Sequence, residues 1–413
     1  MTTQRMKKIK LFIATLLYCT AVMAQNMTSS PFSRSAYGDL NENVPTGYRA
    51  MGGVGIGMRN NRAICASQPA SYTACDSLTF MMDIAACVNW SRYEDASGMR
   101  NKANGNLEYL TLQFPLWKRW IAMSVGLLPY SSVGYDIAET DSTQDLRGTF
   151  TKRFYGTGNL SQVYGGLSFN ICNWVAVGMN FYYMWGDLDR MRLLSFADAN
   201  KSLTLQDESL TLKTWRLRYG LQFFHTWGKH SVVAGGVFEN KRAFNSTYIA
   251  IETSTLDSLY IAKGGFDVPM MYGVGASYNW DSRLTVAFDF ERQCMASATY
   301  NGMEGRFYDL RNRNRYAIGA EYRHNPMGRN YAERMLWRAG LNVQDEYLAT
   351  IGARRITAGI GIGFPLYTIG TVVNLTIEYS HRGSRANGGF EDNSLRFTIG
   401  AGIAENWFFK RKL

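Results

Sequence analysis

Beyond its first two dozen residues the chain has no run of 18 apolar residues, so it offers no helix able to cross a bilayer. It has no C-x-x-C pair, and its six cysteines are unevenly spaced, which excludes a disulfide framework and a zinc ribbon. Its four histidines, His225, His230, His324 and His381, show no metal-ligand spacing. His230 and Ser231 are neighbours, and neighbours in a strand point to opposite faces, so they form no catalytic dyad. The basic excess of +11 is scattered without a Lys/Arg block, which removes the usual footprint of a nucleic-acid surface. No enzyme, metal, cofactor or nucleic-acid partner is expected.

What the chain has in quantity is aromatic residues and glycine: 25 Tyr, 22 Phe, 10 Trp and 40 Gly against only 8 Pro. Aromatics and glycine without a long apolar run suit a membrane β-barrel, which places its apolar residues at every second position. Period two is clear in several segments. Phe80, Met82, Ile84, Ala86, Val88 and Trp90 form one stripe, with Asp83, Cys87 and Asn89 on the other. Leu284, Val286, Phe288 and Phe290 alternate with Arg283, Thr285, Asp289 and Glu291. No segment of this kind shows a helical period.

This alternation predicts 14 strands, near 77–92, 106–117, 120–135, 159–171, 174–187, 210–227, 231–243, 267–280, 283–297, 312–323, 335–344, 350–364, 371–382 and 393–409. Short turns such as "WKRW", "NICNW" and "WGKH" mostly alternate with long polar connections at 136–158, 188–209, 241–266 and 294–311. The fold class expected is all-β: a transmembrane antiparallel up-and-down barrel in a Gram-negative outer membrane. Short turns and both termini would lie in the periplasm. Trp117, Trp120, Trp174, Trp227, Trp280, Trp337 and Trp407 fall at the short-turn ends, as an interfacial girdle requires.

Residues 1–24 read as a cleaved export leader. Arg5, Lys7, Lys8 and Lys10 precede the apolar run, and Val22 and Ala24 occupy the small-residue positions of a cleavage site. Removing those four basic residues takes the formal charge from +11 to +7. Residues 25–75 lack alternation, are rich in glycine, and precede the barrel of 76–413. Within them, "MGGVGIGMRNN" fails as a dinucleotide loop. The position of the third glycine is Met58 counted from Gly53 and Gly55, or Asn60 counted from Gly55 and Gly57. Cys65 and Cys75 flank Gln68-Pro69-Ala70 closely enough to bridge in an oxidising compartment; free thiols are the alternative.

The order of leader, glycine-rich segment ("RAMGGVGIGMRNN"), Pro-Ala step ("SQPASYTACDSLTF") and barrel resembles the long-chain fatty acid transporter (FadL-type) family of Gram-negative outer membranes. Members commonly carry Asn before Pro-Ala, where this chain has Gln68. The resemblance implies a 14-stranded barrel plugged by an N-terminal hatch. It also implies a hydrophobic ligand, such as a fatty acid, that leaves sideways through a kinked strand wall. It assigns the hatch role to Gly52, Gly53, Gly55, Gly57, Gln68, Pro69 and Ala70.

A carboxylate ligand in the lumen would need a guanidinium partner. Arg216, Arg218 and Arg338 lie on polar stripes and are the candidates; the alternative is that they pair with lumen acids such as Asp289, Glu291, Glu321 and Glu378. The function expected is passive uptake of hydrophobic small molecules by a monomer surrounded by outer-membrane lipid and lipopolysaccharide. The alternative is a barrel-shaped accessory subunit of an outer-membrane secretion or assembly complex, with no transport of its own.

Overall fold

The computed structural model describes residues 28–95, 98–143, 148–196, 204–253, 258–301, 309–348, 354–366, 370–383 and 390–406. The leader and Trp407 lie outside them. Fourteen antiparallel strands form the wall. They are β1 (Thr79–Asp95), β2 (Gly98–Trp117), β3 (Ile121–Thr143), β4 (Gly148–Cys172), β5 (Val175–Phe196), β6 (Thr204–Trp227) and β7 (His230–Glu239). β8 (Met271–Trp280), β9 (Leu284–Gln293), β10 (Arg313–Tyr322), β11 (Leu336–Asp345), β12 (Arg354–Pro365), β13 (Val372–Gly383) and β14 (Glu391–Asn406) complete it. Each pairs with its neighbours in sequence, and β14 pairs with β1 from Glu391↔Glu94 to Asn406↔Thr79, so the sheet closes on itself. Closure matters because hydrocarbon offers no partner to a free backbone N–H or C=O.

The residues sort as period two requires. In β8, Met271, Gly273, Gly275 and Ser277 are buried, whereas Tyr272, Val274 and Tyr278 face outward. Ile318, Leu341, Ile360 and Ile399 are each more than half exposed, on the outside of their strands. The inside holds Asp83, Glu108, Gln222, Glu239, Asp289, Arg315, Glu321, Glu378 and Arg382, all buried. Buried charges and polar groups thus share the interior with apolar clusters around Tyr37 and Leu210 and around Tyr72 and Tyr164, while the outside is apolar, as in a barrel whose solvent is lipid. Trp117, Trp120, Trp174, Trp227, Trp280 and Trp337 are exposed at the short-turn end.

All 14 predicted strands exist, but several run further. β3 continues to Thr143 and β5 to Phe196, into connections read as loops, and 241–266 holds a hairpin of Asn245–Thr253 and Ser258–Lys263. β3 to β6 therefore rise well above the ten-residue strands β7 to β11 at the long-loop end.

Candidate functional site

Residues 28–78 supply none of the 14 wall strands, although Asp39 and Leu40 pair with β3, and most of residues 28–75 are buried within the barrel. They run through a 3-10 turn (Pro31–Arg34), a two-residue strand (Asp39–Leu40), one helical turn (Thr46–Arg49), the glycine-rich turn, and a 3-10 helix (Pro69–Ala74). Gly52 and Gly53 take positive φ, 70° and 77°. Gly57 lies so close to β8 that a Cβ on it would stand 2.5 Å from the backbone nitrogen of Ala276.

The turn is an anion cradle, and its anion is supplied by the barrel. Asp289 on β9 accepts from the backbone N–H of Gly55 (2.6 Å), Ile56 (2.8 Å) and Gly57 (3.2 Å). Successive N–H groups in a tight turn form such a concave nest. From the other side, Arg315 Nη2 donates to the carbonyls of Gly52 (2.9 Å) and Gly53 (2.8 Å), and Asn342 donates to Gly52 at 3.2 Å. Gln68 caps the 3-10 helix by accepting from Ala70 N–H, and its amide donates to the carbonyl of Ile56 at 3.1 Å. It stands in van der Waals contact with Gly220 and Gly235 of the wall, and Pro69 and Ala70 sit against Gly178. Tyr72 donates to Asn180 at 3.0 Å. The seven residues to which the resemblance assigns a hatch role thus lie against β5 to β11 of the wall.

Buried charges are paired across the same boundary. Arg49 of the hatch meets Glu108 at 2.8 Å and Glu378 at 3.6 Å. Asp39 accepts from Arg382 at 2.6 Å, and Glu42 from Arg315 at 3.2 Å. Burial alone would push the Glu42 carboxyl up, but Arg315, followed by Arg49, Arg313 and Arg355, outweighs it and holds the group at about 2. Breaking one such pair leaves a buried charge uncompensated, a loss of about 3–5 kcal/mol.

The structure places Arg216 and Arg218 together on Glu239, with Arg216 also donating to Gln162 at 2.9 Å and Arg218 to the hatch carbonyl of Ser67 at 3.2 Å. Arg338 stands apart, donating to Glu321 (2.7 Å) and Asn374 (2.6 Å). Cys65 and Cys75 are free thiols rather than a bridge. Cys65 lies 3.0 Å from the Ser67 hydroxyl among Val44, Met51 and Met58, and Cys75 packs in a separate cluster with Tyr72 and Met81. Burial pushes the Cys65 thiol up to about 11.

Among the described residues, a polar cavity of about 90 Å³ lies between Asp39, Glu42 and Arg49 of the hatch and Glu108, Glu378 and Arg396 of the wall. A second polar cavity of about 60 Å³ adjoins Arg216, Arg218 and Arg313. Pockets for small organic ligands run from about 300 Å³ and are mostly apolar. A polar recess of about 360 Å³ opens at the short-turn end, lined by Arg59, Arg62, Lys229, His230, Asp281 and Glu321.

One feature of the wall escaped the sequence. β2 and β3 pair only between Leu110↔Leu127 and Trp117↔Ile121, and beyond that point they part. The N-terminal segment fills the gap. Asp39 and Leu40 pair with Ser132 and Ser131 of β3, and Ser33 exchanges hydrogen bonds with Gly134 (3.0 and 3.1 Å). Ser29 bonds Asn104 of β2. A cleft of about 140 Å³ remains there, lined by Pro31, Tyr93, Tyr135, Ile137, Tyr155 and Phe390. The available signal was Pro129 inside a strand, where a missing N–H marks a bulge or an edge.

The BamG family profile matches residues 6–413. No curated protein sequence matches the chain. Solved structures that share its fold include the following three. A FadL homologue of Pseudomonas aeruginosa is 10% identical, with 89% of this chain and 99% of that one covered and a TM-score of 0.60. The toluene transporter TbuX of Ralstonia pickettii is 14% identical, with 87% and 98% covered and a TM-score of 0.58. The toluene transporter TodX of Pseudomonas putida is 14% identical, with 89% and 100% covered and a TM-score of 0.58. Two of them are toluene transporters and one is a FadL homologue, and at these identities the likeness is one of fold.

Proposed function

The chain belongs to the BamG family, and from that premise we propose that it is a sealed outer-membrane barrel serving as an accessory subunit of an outer-membrane assembly or secretion complex. The observation that carries the reading is the hatch, held to the wall by the Asp289 cradle and by buried ion pairs at Asp39, Glu42 and Arg49. Such a plug makes a rigid body whose outer surfaces, rather than whose lumen, meet partners. The short-turn end faces the periplasm in this reading. Arg216, Arg218 and Arg338 then brace the interior, with Glu239 and Glu321 as their counterions.

A second reading is favoured by the parted β2–β3 wall and its cleft: a channel that passes a hydrophobic molecule sideways into the membrane once residues 28–41 withdraw. In that reading one of the three arginines exchanges its acid for a ligand headgroup.

Purification from native membranes in mild detergent, followed by organic extraction and mass spectrometry, separates the two. The subunit reading expects another protein at fixed stoichiometry and no bound fatty acid or hydrocarbon. A barrel that comes out alone with such a ligand in its lumen would overturn it.

A further inference from the structure

β6 changes partners along its length. Its lower part, Arg218–Trp227, pairs with β7, whereas its upper part, Leu205–Lys213, pairs with Asn245–Thr253. That segment in turn pairs with Ser258–Lys263, from Thr247↔Lys263 to Glu252↔Ser258. Among the described residues the one ladder that Ser258–Lys263 makes is with Asn245–Thr253. It is the edge of a hairpin that continues the β6 ladder beyond β7, with Tyr248, Ala250 and Ala262 packed inward on the cluster around Tyr37 and Leu210.

The edge lies beyond the outward apolar band of β6. The outward apolar residues of β6 run from Phe223 up to Trp215, and the next outward positions are Lys213, Thr211, Ser209 and Asp207. Ile249 and Ile251 are opposite Ser209 and Asp207, so they stand roughly 20 Å beyond Trp215 along the strand. There Leu259 is 64% exposed and Ile261 57%, beside Ile251 on the same face. An apolar face of this kind in water, next to an open backbone edge, is a template for another strand.

The register shows which backbone groups are free. Gly264 N–H donates to Ser246 C=O at 3.2 Å, so the bonded pairs are every second one: Ala262 with Tyr248 and Tyr260 with Ala250. The N–H and C=O groups of Leu259, Ile261 and Lys263 therefore point away from the hairpin. We propose that this edge accepts a β-strand from a partner protein on the long-loop side. The added strand takes up those backbone groups and lays alternate apolar side chains over Leu259 and Ile261. The proposal rests on the subunit reading and names where the partner docks.

The same alternation supplies the test. Ile261→Pro removes an N–H that the hairpin does not use, so the hairpin tolerates it. Ala262→Pro removes one that the hairpin does use and serves as the unfolded-hairpin control. With the native complex purified, Ile261→Pro and the double variant Leu259→Arg/Ile261→Arg should each lose the partner while the barrel stays heat-modifiable. Amide exchange at Leu259, Ile261 and Lys263 should slow by about 100-fold in the complex relative to the isolated barrel. A stable wild-type complex that Ile261→Pro leaves intact, or in which those amides exchange as fast as in the free barrel, overturns the edge proposal alone. A complex whose second component is another copy of this chain does the same. A wild-type barrel that emerges alone overturns both the edge and the subunit reading.

Discussion

Asp289 ties the wall to the hatch through three backbone donors, and this is where the glycine-rich turn acquires its meaning. The sequence excludes a dinucleotide loop there, and the structure shows an anion cradle all the same, filled by a side chain more than 200 residues away. Glycine spacing was legible because permissive backbone has a composition; its partner was not, because alternation places Asp289 on an inner face without naming what it faces. Asp289→Ala leaves the three N–H groups without an acceptor and should loosen the hatch by about 3 kcal/mol. Hydrogen exchange at Gly55–Gly57 measures this directly, and fast exchange confined to those amides is the expected result.

Glu42 adds a pH dependence. Its carboxyl sits at about 2 in the folded protein, below the ordinary glutamate value of about 4.3. Its charged form therefore stabilises the docked hatch above about pH 4.3, and that contribution is lost as the pH falls toward 2. Protease resistance of residues 28–78 should fall across that window, and Glu42→Gln should lower resistance at neutral pH while flattening the acid decline. Cys65, its thiol pushed up to about 11 by burial, should resist maleimide at pH 7.5, while the partly exposed Cys172 reacts first.

Strand positions were legible because lipid on one side and a polar interior on the other impose period two. Their upper ends were not. Above Trp215 the apolar stripe of β6 changes face: Leu210 and Leu212 are buried in an inner apolar cluster while Lys213, Thr211 and Asp207 face outward, so the hydrogen-bond ladder continues while the outward stripe that reveals it disappears. The parted β2–β3 wall was hidden for a related reason, since each strand there keeps one good partner and reads as an ordinary member of the sheet. Ser33 holds the chain in that gap through the backbone of Gly134. Ser33→Val should free residues 28–34 for proteolysis with β3 and β4 unchanged. At the glycine turn, Gly57→Val has no room against Ala276 and should abolish the compact, heat-modifiable form rather than merely weaken it.

The described residues form an outer-membrane-type barrel with the fold of a FadL homologue, the chain belongs to the BamG family, and in the proposed reading its N-terminal segment closes the lumen. A moving hatch and a fixed one make opposite demands on the contact between the Pro69–Ala74 helix and the wall. Thr73 and Ser168 face each other across that contact, with hydroxyl oxygens 3.5 Å apart, so paired cysteines at the two positions can be joined. The decisive measurement compares cells relying on Thr73→Cys/Ser168→Cys with the bridge oxidised and reduced, scoring growth and recovery of the partner complex. A fixed plug predicts full growth and unchanged partner recovery with the bridge closed; a hatch that must open predicts that the oxidised form fails and that reduction restores it, which would contradict the account.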